Sequence, residues 1–450
     1  MSSKDELLAK ANQPSAEALR LHPFYRGKVQ TMLKCPVRTF DDFSIWYTPG
    51  VAAPCKAIQA DPNLAYEYTN KANTVAVVTD GTRVLGLGNI GAQAGMPVME
   101  GKALLFKYLG GVDAVPLCLD TEDADDIIRT VRLIQPTYGG INLEDIAQPK
   151  CFRVLDTLRA DPTMQIPVFH DDQQGTATVL LAGLLNALKV TNRDIRNTRF
   201  ALVGLGAANV ATLRLLEASG VALEQIIATD SRGILHRDRS DIAAQAEDYP
   251  DKWRACLGSN PDDVRGGIAE ALSGAEVCIA FAQPGPGTIK PEWVAGMAPD
   301  SIVFPCSNPV PEIWPWEAKE AGARIVGTGR SDFPNQLNNS LGFPAIFRGA
   351  LDVRARTITD EMCLAAAAEI AAYGEELGLD DDHLVPTMEH EDIFPREAAA
   401  VGAKAVEQGL ARNNATRDEL YTMAQVKIAE ARDMITTLMA SGGIRPVPEI

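Results

Sequence analysis

The stretch Phe200-Ala-Leu-Val-Gly-Leu-Gly-Ala-Ala-Asn209 decides the fold class, because it joins an apolar strand to a helix through a glycine turn. An unbroken helical pattern continues from Val210 to Leu216. This arrangement brings the free N–H groups of the helix N-terminus to the end of the strand, where they bind the pyrophosphate of a dinucleotide. The pattern therefore predicts a Rossmann-type unit. The residues predicted to contact the cofactor are Gly204, Gly206, Ala207, Ala208 and Asn209.

The next predicted strand ends on Asp230, 24 residues after Gly206. A carboxylate at this distance accepts hydrogen bonds from the adenosine ribose and repels a 2′-phosphate, so Asp230 favours NAD. Arg232 and Arg237 lie nearby and offer cations for that phosphate, so NADP stays open. Asn209 replaces the third glycine of the usual fingerprint, at a position that serves helix–strand packing rather than the phosphate.

A second glycine stretch, Gly86-Leu-Gly-Asn-Ile-Gly91, matches the dinucleotide fingerprint letter for letter but lacks its context. It follows a predicted β-hairpin over 74–85 instead of a buried strand that enters a helix directly. Pro97 delays the next helix to a predicted start at Met99. We therefore predict a tight backbone path that holds no cofactor.

Apolar strands alternate with helical segments along most of the chain, which predicts mostly parallel sheets built from βαβ units. The predicted fold class is α/β, with an N-terminal α/β domain over 1–165 and a Rossmann-type doubly wound domain over 166–395. A helical, Ala-rich C-terminal segment over 396–450 completes the chain. The sequence leaves open whether this segment packs on the first domain.

The charge balance excludes several classes of partner. The chain has 450 residues, with 42 Lys and Arg against 59 Asp and Glu, for a net charge of −17. This excess of acid argues against nucleic acid and against an anionic membrane surface. No apolar run approaches the roughly 20 residues of a membrane span. The N-terminus has no signal-type segment and the 8 cysteines are scattered, so we expect a cytoplasmic protein.

Two acid pairs, Glu144-Asp145 and Asp171-Asp172, each follow a predicted strand. The carboxyl ends of parallel strands form the edge where α/β sheets bind ligands. A hard divalent cation offsets the repulsion between such carboxylates, and oxygen-only ligands select Mg²⁺ or Mn²⁺. The alternative, that the acids are solvated turn residues and helix caps, stays open at this point. His170 is predicted to be a packed, hydrogen-bonded residue rather than a ligand.

Eight segments between residues 46 and 349 resemble, in sequence and in order, the malic enzyme family in its short bacterial form. These segments are Trp46-Tyr-Thr-Pro-Gly-Val51, Thr79-Asp-Gly-Thr-Arg-Val-Leu-Gly-Leu-Gly88, Gly95-Met-Pro-Val-Met-Glu-Gly-Lys102, Ile141-Asn-Leu-Glu-Asp145, Phe169-His-Asp-Asp-Gln-Gln-Gly-Thr176, Ser307-Asn-Pro309, Asn335-Gln-Leu-Asn-Asn339 and Phe343-Pro-Ala-Ile-Phe-Arg-Gly349.

The resemblance implies oxidative decarboxylation of (S)-malate to pyruvate and CO₂, with hydride transfer to NAD(P)⁺, a need for Mg²⁺ or Mn²⁺, and a homodimer or larger oligomer. The implied catalytic residues are Tyr47 as general acid, Lys102 as general base, and Asp171. The implied metal ligands are Glu144, Asp145 and Asp172. The implied contacts of the substrate carboxylates are Arg83, Asn308 and Asn338, with Asn308 also at the cofactor. Gln174 stands where the family often has histidine and cannot titrate.

The chemistry sets conditions on these roles. Lys102 can take the hydroxyl proton of malate only if burial or a nearby cation lowers its pKa towards neutral. Two other functions stay open: a metal-dependent 2-hydroxy-acid dehydrogenase that never decarboxylates, and a catalytically silent NAD-binding regulatory module. The joint presence of Tyr47, Lys102 and the acids argues against the silent module.

Overall fold

The structure is a computed structural model that describes residues 4–448, with side chains from residue 14 onward. The ends of the predicted first and last domains, 1–3 and 449–450, lie outside the described residues. In chain order, the first elements are α1 (Lys4–Tyr25), α2 (Asp42–Trp46), α3 (Ala52–Ala60), α4 (Ala65–Tyr68), β1 (Thr74–Thr79), α5 (Ala92–Gly110), β2 (Asp113–Cys118), α6 (Ala124–Ile134), β3 (Gly140–Leu143), α7 (Lys150–Ala160) and β4 (Val168–His170).

The remaining elements begin after a wide helical turn over 171–175. They are α8 (Thr176–Val190), β5 (Phe200–Val203), α9 (Ala207–Ala218), β6 (Ile226–Asp230), β7 (Gly233–Ile234), α10 (Ser240–Ala243), α11 (Pro250–Gly258), α12 (Ile268–Leu272), β8 (Val277–Ala280), α13 (Pro291–Val294), β9 (Ile302–Pro305), α14 (Pro315–Glu320), β10 (Ile325–Val326), α15 (Phe343–Asp352), α16 (Asp360–Leu377), α17 (Ile393–Glu407) and α18 (Arg417–Ala440).

The first sheet has the order β2-β1-β3-β4, and all its strand pairs are parallel. The predicted hairpin over 74–85 is wrong, because β2 and β3 occupy both edges of β1. Asp80 then turns the chain away from the sheet, since its Oδ1 accepts hydrogen bonds from the backbone N (3.0 Å) and the hydroxyl (2.6 Å) of Thr82. Residues 82–88 form a loop closed by one bridge between Val84 and Gly88.

Helix α5 begins at Ala92, seven residues before the predicted start at Met99. Pro97 lies inside it and removes one helical hydrogen bond without ending the helix. Buried Met99 and Phe106 anchor the helix to the core, and such tertiary packing outweighs a local breaker. Gly86–Gly91 is nevertheless no strand-to-helix turn, because a loop of twelve residues separates β1 from α5.

The second sheet has the order β10-β9-β8-β5-β6-β7, parallel except for the short edge strand β7. From β5 the chain first builds outward through β6 and then returns to the other side of β5 with β8. This reversal between β5 and β8 creates the crevice where doubly wound sheets bind ligands. The predicted α/β class with a Rossmann-type sheet is confirmed.

The helical C-terminus packs on the first domain, a point that the sequence left open. Arg432 of α18 donates a hydrogen bond to the backbone oxygen of Tyr108 in α5 (2.9 Å). Gly111 lies so close to α18 that a Cβ there would be 2.7 Å from the backbone oxygen of Lys427. The proposed domain boundaries, 165/166 and 395/396, stay predictions. Within the described residues, no helix is both long and apolar enough to cross a membrane.

Candidate active site

Acidic side chains meet at the carboxyl edge of the first sheet. Glu144 and Asp145 follow β3, and Asp171 and Asp172 follow its neighbour β4. Carboxylate oxygens of Glu144, Asp145 and Asp172 all lie within 4.8 Å of one another. The backbone N–H of Asp145 donates to Asp172 Oδ2 (2.7 Å), which ties the two strand ends together. The structure thus brings together the three predicted metal ligands.

Burial and mutual repulsion raise the pKa values of Glu144, Asp145 and Asp171. Glu144 and Asp145 are only 2% and 3% exposed, so they are not solvated turn residues. Burial, opposed by Lys102, raises the pKa of Glu144 well above its usual range. Burial and the charge of Asp172 raise the pKa of Asp145 to about 8. Burial also raises the pKa of Asp171, to about 6, although Lys102 opposes this.

A divalent cation fits this cluster. Asp145 Oδ2 is buried and has no hydrogen-bond partner among the described residues, so one ligand oxygen is free. The carboxylates repel one another in a site that water reaches poorly, and a cation offsets that cost. The donors are all oxygens, which is the ligand set that Mg²⁺ and Mn²⁺ prefer.

Helix α5 places Lys102 beside the acids. Its Nζ lies 3.0 Å from Glu144 Oε1 and donates a hydrogen bond to Asp171 Oδ2. The ammonium also lies 4.5 Å from the ring centroid of Phe343. Burial lowers the pKa of Lys102, but the charges of Asp171 and Glu144 outweigh burial and raise it above its usual value. In this arrangement the lysine pairs directly with carboxylates, so the fall towards neutral that a general base requires depends on the charge of a bound cation.

His170 and Gln174 have structural positions. The His170 ring is fully buried, and burial lowers its pKa, which favours the neutral form. Its Nδ1 lies 3.7 Å from Asp172 Oδ2, and neither ring nitrogen has a hydrogen-bond partner among the described residues. The packed position agrees with the prediction, but the expected hydrogen bond is absent there. Gln174 Oε1 accepts a hydrogen bond from the His170 backbone N (3.2 Å), which closes the turn after β4.

The loop that carries Arg83 is attached to Asp145. The backbone N of Arg83 donates to the Asp145 backbone oxygen (3.0 Å), and the N of Leu85 donates to Asp145 Oδ1 (3.4 Å). Asp145 and Leu85 both adopt left-handed backbone conformations, with φ of 54° and 48°. Such backbone strain clusters at functional sites. The Arg83 side chain itself is exposed.

The same loop packs closely on Asn308. A Cβ at Gly86 would lie 2.6 Å from the backbone oxygen of Asn308 and 2.8 Å from Pro309 Cδ. The glycine stretch Gly86–Gly91 therefore makes a close backbone contact, which agrees with the tight backbone path predicted from its sequence. On the other side, a Cβ at Gly329 would lie 2.9 Å from Asn308 Nδ2. Asn338 donates to the Gly329 backbone oxygen (3.2 Å), so both predicted substrate asparagines adjoin Gly329.

Tyr47 is not joined to the acid cluster. Its side chain is 71% exposed, and its hydroxyl makes no hydrogen bond to any described residue. Large apolar side chains nearby are also exposed, including Phe40 (89%), Ile45 (59%) and Trp46 (48%). Tyr47 therefore belongs to an exposed apolar segment over 40–47, apart from the hydrogen-bonded site.

The turn between β5 and α9 fits a dinucleotide. Gly204 has φ of 83°, and a Cβ there would lie 2.6 Å from the backbone oxygen of Phe281. Gly206 precedes α9 without a side-chain cap, and a Cβ there would meet only the Gln148 amide, at 3.8 Å. The N–H groups of the first helical turn are therefore accessible to a phosphate. Asn209 is buried and donates to the backbone oxygens of Val203 (3.2 Å) and Ile279 (3.3 Å), which joins helix to strands.

The sequence did not indicate the partner of Asp230. Arg239 donates two hydrogen bonds to the Asp230 carboxylate, of 3.1 and 2.8 Å, and is 8% exposed. The Arg232 side chain instead pairs with Asp241 (3.1 Å). Arg239 lies beyond the two arginines that the sequence singled out, and only the path of the loop brings it back to Asp230.

A second group of metal-ligating types lies on the second domain. His236, Asp238 and Asp263 also place ligand atoms within 4.8 Å of one another. Here Arg265 already provides the positive charge, with Nη2 at 2.6 Å from Asp238 and 2.7 Å from Asp263. The group is therefore an exposed ion-pair network, unlike the buried cluster at Glu144.

Two family models match the chain: "Malic enzyme, N-terminal domain" over residues 26–159 and "Malic enzyme, NAD binding domain" over 173–406. The NAD-dependent malic enzyme of Geobacillus stearothermophilus is 49% identical over 86% of this chain and 78% of its own length. The bifunctional malic/malolactic enzyme of Bacillus subtilis is 46% identical over 90% of this chain and 96% of its own length. An NADP-dependent malic enzyme of Rhizobium meliloti is 43% identical over 88% of this chain and 52% of its own length.

Solved structures agree with the sequence relatives. The crystal structure of Entamoeba histolytica malic enzyme superposes with a TM-score of 0.95 at 47% identity, and covers 99% of this chain and 93% of that one. The malic enzyme structure from Pyrococcus horikoshii gives a TM-score of 0.87 at 50% identity, with 92% and 94% coverage.

Proposed function

The chain belongs to the malic enzyme family, and from this premise we infer that it converts (S)-malate to pyruvate and CO₂ while it reduces NAD(P)⁺. The observation that carries the site assignment is the cluster of buried Glu144 and Asp145 with half-buried Asp172, and with Lys102 beside it. A divalent cation on these ligands supplies Lewis acidity for the loss of CO₂ and positive charge that lowers the pKa of a neighbouring lysine.

Each side chain of the site has a proposed role in the reaction. Lys102, in the neutral form that a bound cation would favour, takes the proton from the C2 hydroxyl of malate, and a dinucleotide held at the Gly204 turn would accept the hydride. Asp171 accepts a hydrogen bond from Lys102 Nζ and so holds the side chain in place. Arg83 binds a substrate carboxylate with its two-pronged guanidinium, and Asn308 and Asn338 also hold the substrate carboxylates. By its match to the family motif, Tyr47 is assigned the protonation of C3 after CO₂ has left. This role requires its hydroxyl to come within reach of the acid cluster, from which it lies apart in the single chain.

A second copy of the chain is the proposed partner. The exposed apolar segment over 40–47 includes side chains that a water-exposed surface rarely presents together. A homodimer, or a larger homo-oligomer, would cover this segment and remove Tyr47 from water. A cytoplasmic location is proposed on other grounds, because all eight cysteines are free.

NAD is the proposed preferred dinucleotide. Asp230 presents a carboxylate at the end of β6, where a ribose hydroxyl is bound in doubly wound sheets. Arg239 holds both oxygens of that carboxylate and so fixes its orientation. The similar proteins include an NAD-dependent and an NADP-dependent malic enzyme. Rates of malate oxidation measured side by side with NAD⁺ and NADP⁺ therefore decide the preference.

The function is tested with the purified full-length chain, malate, Mn²⁺ and NAD⁺. We expect CO₂ and NADH to form in equal amounts. Their formation should stop when EDTA is added and resume when Mn²⁺ is added in excess. NADH without CO₂ would identify the plain dehydrogenase and contradict decarboxylation. The absence of both products, with either dinucleotide, would support the silent regulatory module.

A further inference from the structure

Glu312 is a buried acid that the proposed mechanism does not use. It is 0% exposed, yet its carboxylate is fully hydrogen-bonded. Oε1 accepts from the backbone N of Ala282 (2.8 Å) and from the Ser307 hydroxyl (2.5 Å). Oε2 accepts from the backbone N of Ser307 (3.2 Å). One side chain therefore joins two loops that are far apart in sequence.

The two loops lie at the ligand edge of the second sheet. Ala282 follows β8, and Ser307 follows β9, the next strand outward from the β5–β8 crevice. The loop after β8 supports the glycine turn directly, because a Cβ at Gly204 would lie 2.9 Å from Ala282 Cα. The loop after β9 continues from Ser307 into Asn308. Glu312 thus stands between the dinucleotide turn and a proposed substrate residue.

A carboxylate suits this position better than a neutral group. Two of its donors are backbone N–H groups, which can only donate, so each requires an acceptor lone pair. Burial raises the pKa of Glu312, while the hydrogen bonds from Ser307 and Ala282 oppose that rise. Burying an acid in the sheet edge is costly, and an apolar residue would fill the space at lower cost if filling space were its only role.

We infer that Glu312 is a positioning residue that fixes Asn308 relative to the Gly204 turn, and so aligns substrate with nicotinamide. This inference rests on the proposed function, because it assumes that Asn308 holds malate. The consequence is specific. When Glu312 is changed, alignment is lost while the binding groups remain, so kcat should fall more than KM rises.

The test compares Glu312→Gln with wild type in the full-length enzyme. Glutamine keeps the size and one acceptor oxygen but directs an NH₂ group at a former donor. We expect kcat to fall about tenfold, with the KM for malate changed less than about threefold. Ser307→Ala in the Glu312→Gln background should add little to the loss, because both changes break the same link.

Glu397→Gln is the matched control. Glu397 is also 0% exposed, but it lies on α17, and neither carboxylate oxygen has a partner among the described residues. We expect this variant to keep wild-type kcat. A merely structural role of Glu312 would change the melting temperature and leave kcat per folded molecule intact.

The outcomes separate cleanly. A loss of about fivefold or more in kcat for Glu312→Gln, with Glu397→Gln unaffected, supports the positioning role. A smaller loss, a KM for malate that rises by more than kcat falls, or an equal loss in both variants overturns it. If wild type makes no NADH from malate, the proposed function fails instead. In that case the dissociation constant of NAD⁺, measured by calorimetry in the same variants, is used instead of kcat, and a change of about fivefold or more supports the positioning role. This measurement is valid without malate turnover, because the Ala282 contact to the Gly204 turn does not depend on malate.

Discussion

Lys102→Ala is expected to lower kcat for malate oxidation by about 10² to 10⁴, because the variant has no group that can take the hydroxyl proton. Lys102 Nζ lies 3.0 Å from Glu144 Oε1, inside the acid cluster. Calorimetry should show that NAD⁺ still binds, because the glycine turn at Gly204 belongs to the other sheet. Near-normal turnover in this variant would refute the assigned base.

Lys102→Arg is the matched variant for this result. Arginine preserves the positive charge beside Glu144 and Asp171 but does not lose its proton near neutral pH. If Lys102 is the general base, both Lys102→Ala and Lys102→Arg remove that function. If Lys102 only balances charge, Lys102→Ala removes that function and Lys102→Arg keeps it. We expect the arginine variant to be nearly as inactive as the alanine variant. Substantial activity in Lys102→Arg would show that charge alone is required.

Gly86→Ala is expected to reduce kcat/KM for malate by about 10², although the glycine contacts neither acid nor lysine. Its added Cβ would lie 2.6 Å from the backbone oxygen of Asn308, so the Arg83 loop must move away from Asn308. Misplacement by about 1 Å of a group that holds substrate is enough for a loss of this size. Steady-state rates at varied malate measure it.

Gly88→Ala, in the same loop, controls for backbone strain. Gly88 has φ of 76°, so alanine is strained there, but a Cβ would meet nothing within 4 Å. We expect a destabilisation of about 1 kcal/mol from this conformation and most of the activity retained. Equal losses of activity in the two variants would contradict the close contact with Asn308 as the cause.

The parts of the fold that depend on residues close together in the sequence could be predicted from it. The glycine turn at 204–209, the strands around it and the acid pairs after β3 and β4 all depend on local order along the chain. The position of the acids at one edge followed from the rule that parallel strands end together. The prediction of a hairpin over 74–85 was wrong because two strands from later in the chain, β2 and β3, pair with the two edges of β1.

The features that could not be predicted from the sequence depend on contacts that form only in the folded chain. Arg239 meets Asp230, and Glu312 meets Ala282, only after loops return to the sheet edge. No local pattern marks either residue. The direction of the Lys102 pKa depended on which acids face it, and helix α5 faces Glu144 and Asp171 only in the folded chain. Exposure of Tyr47 likewise follows from tertiary structure.

The central claim is that Glu144, Asp145 and Asp172 together bind a divalent cation. A crystal of the full-length chain soaked in Mn²⁺, with diffraction collected to give anomalous differences for manganese, tests it most directly. We predict one strong anomalous peak within coordination distance of all three carboxylates. No peak there, or a peak only at His236, Asp238 and Asp263, would contradict the account.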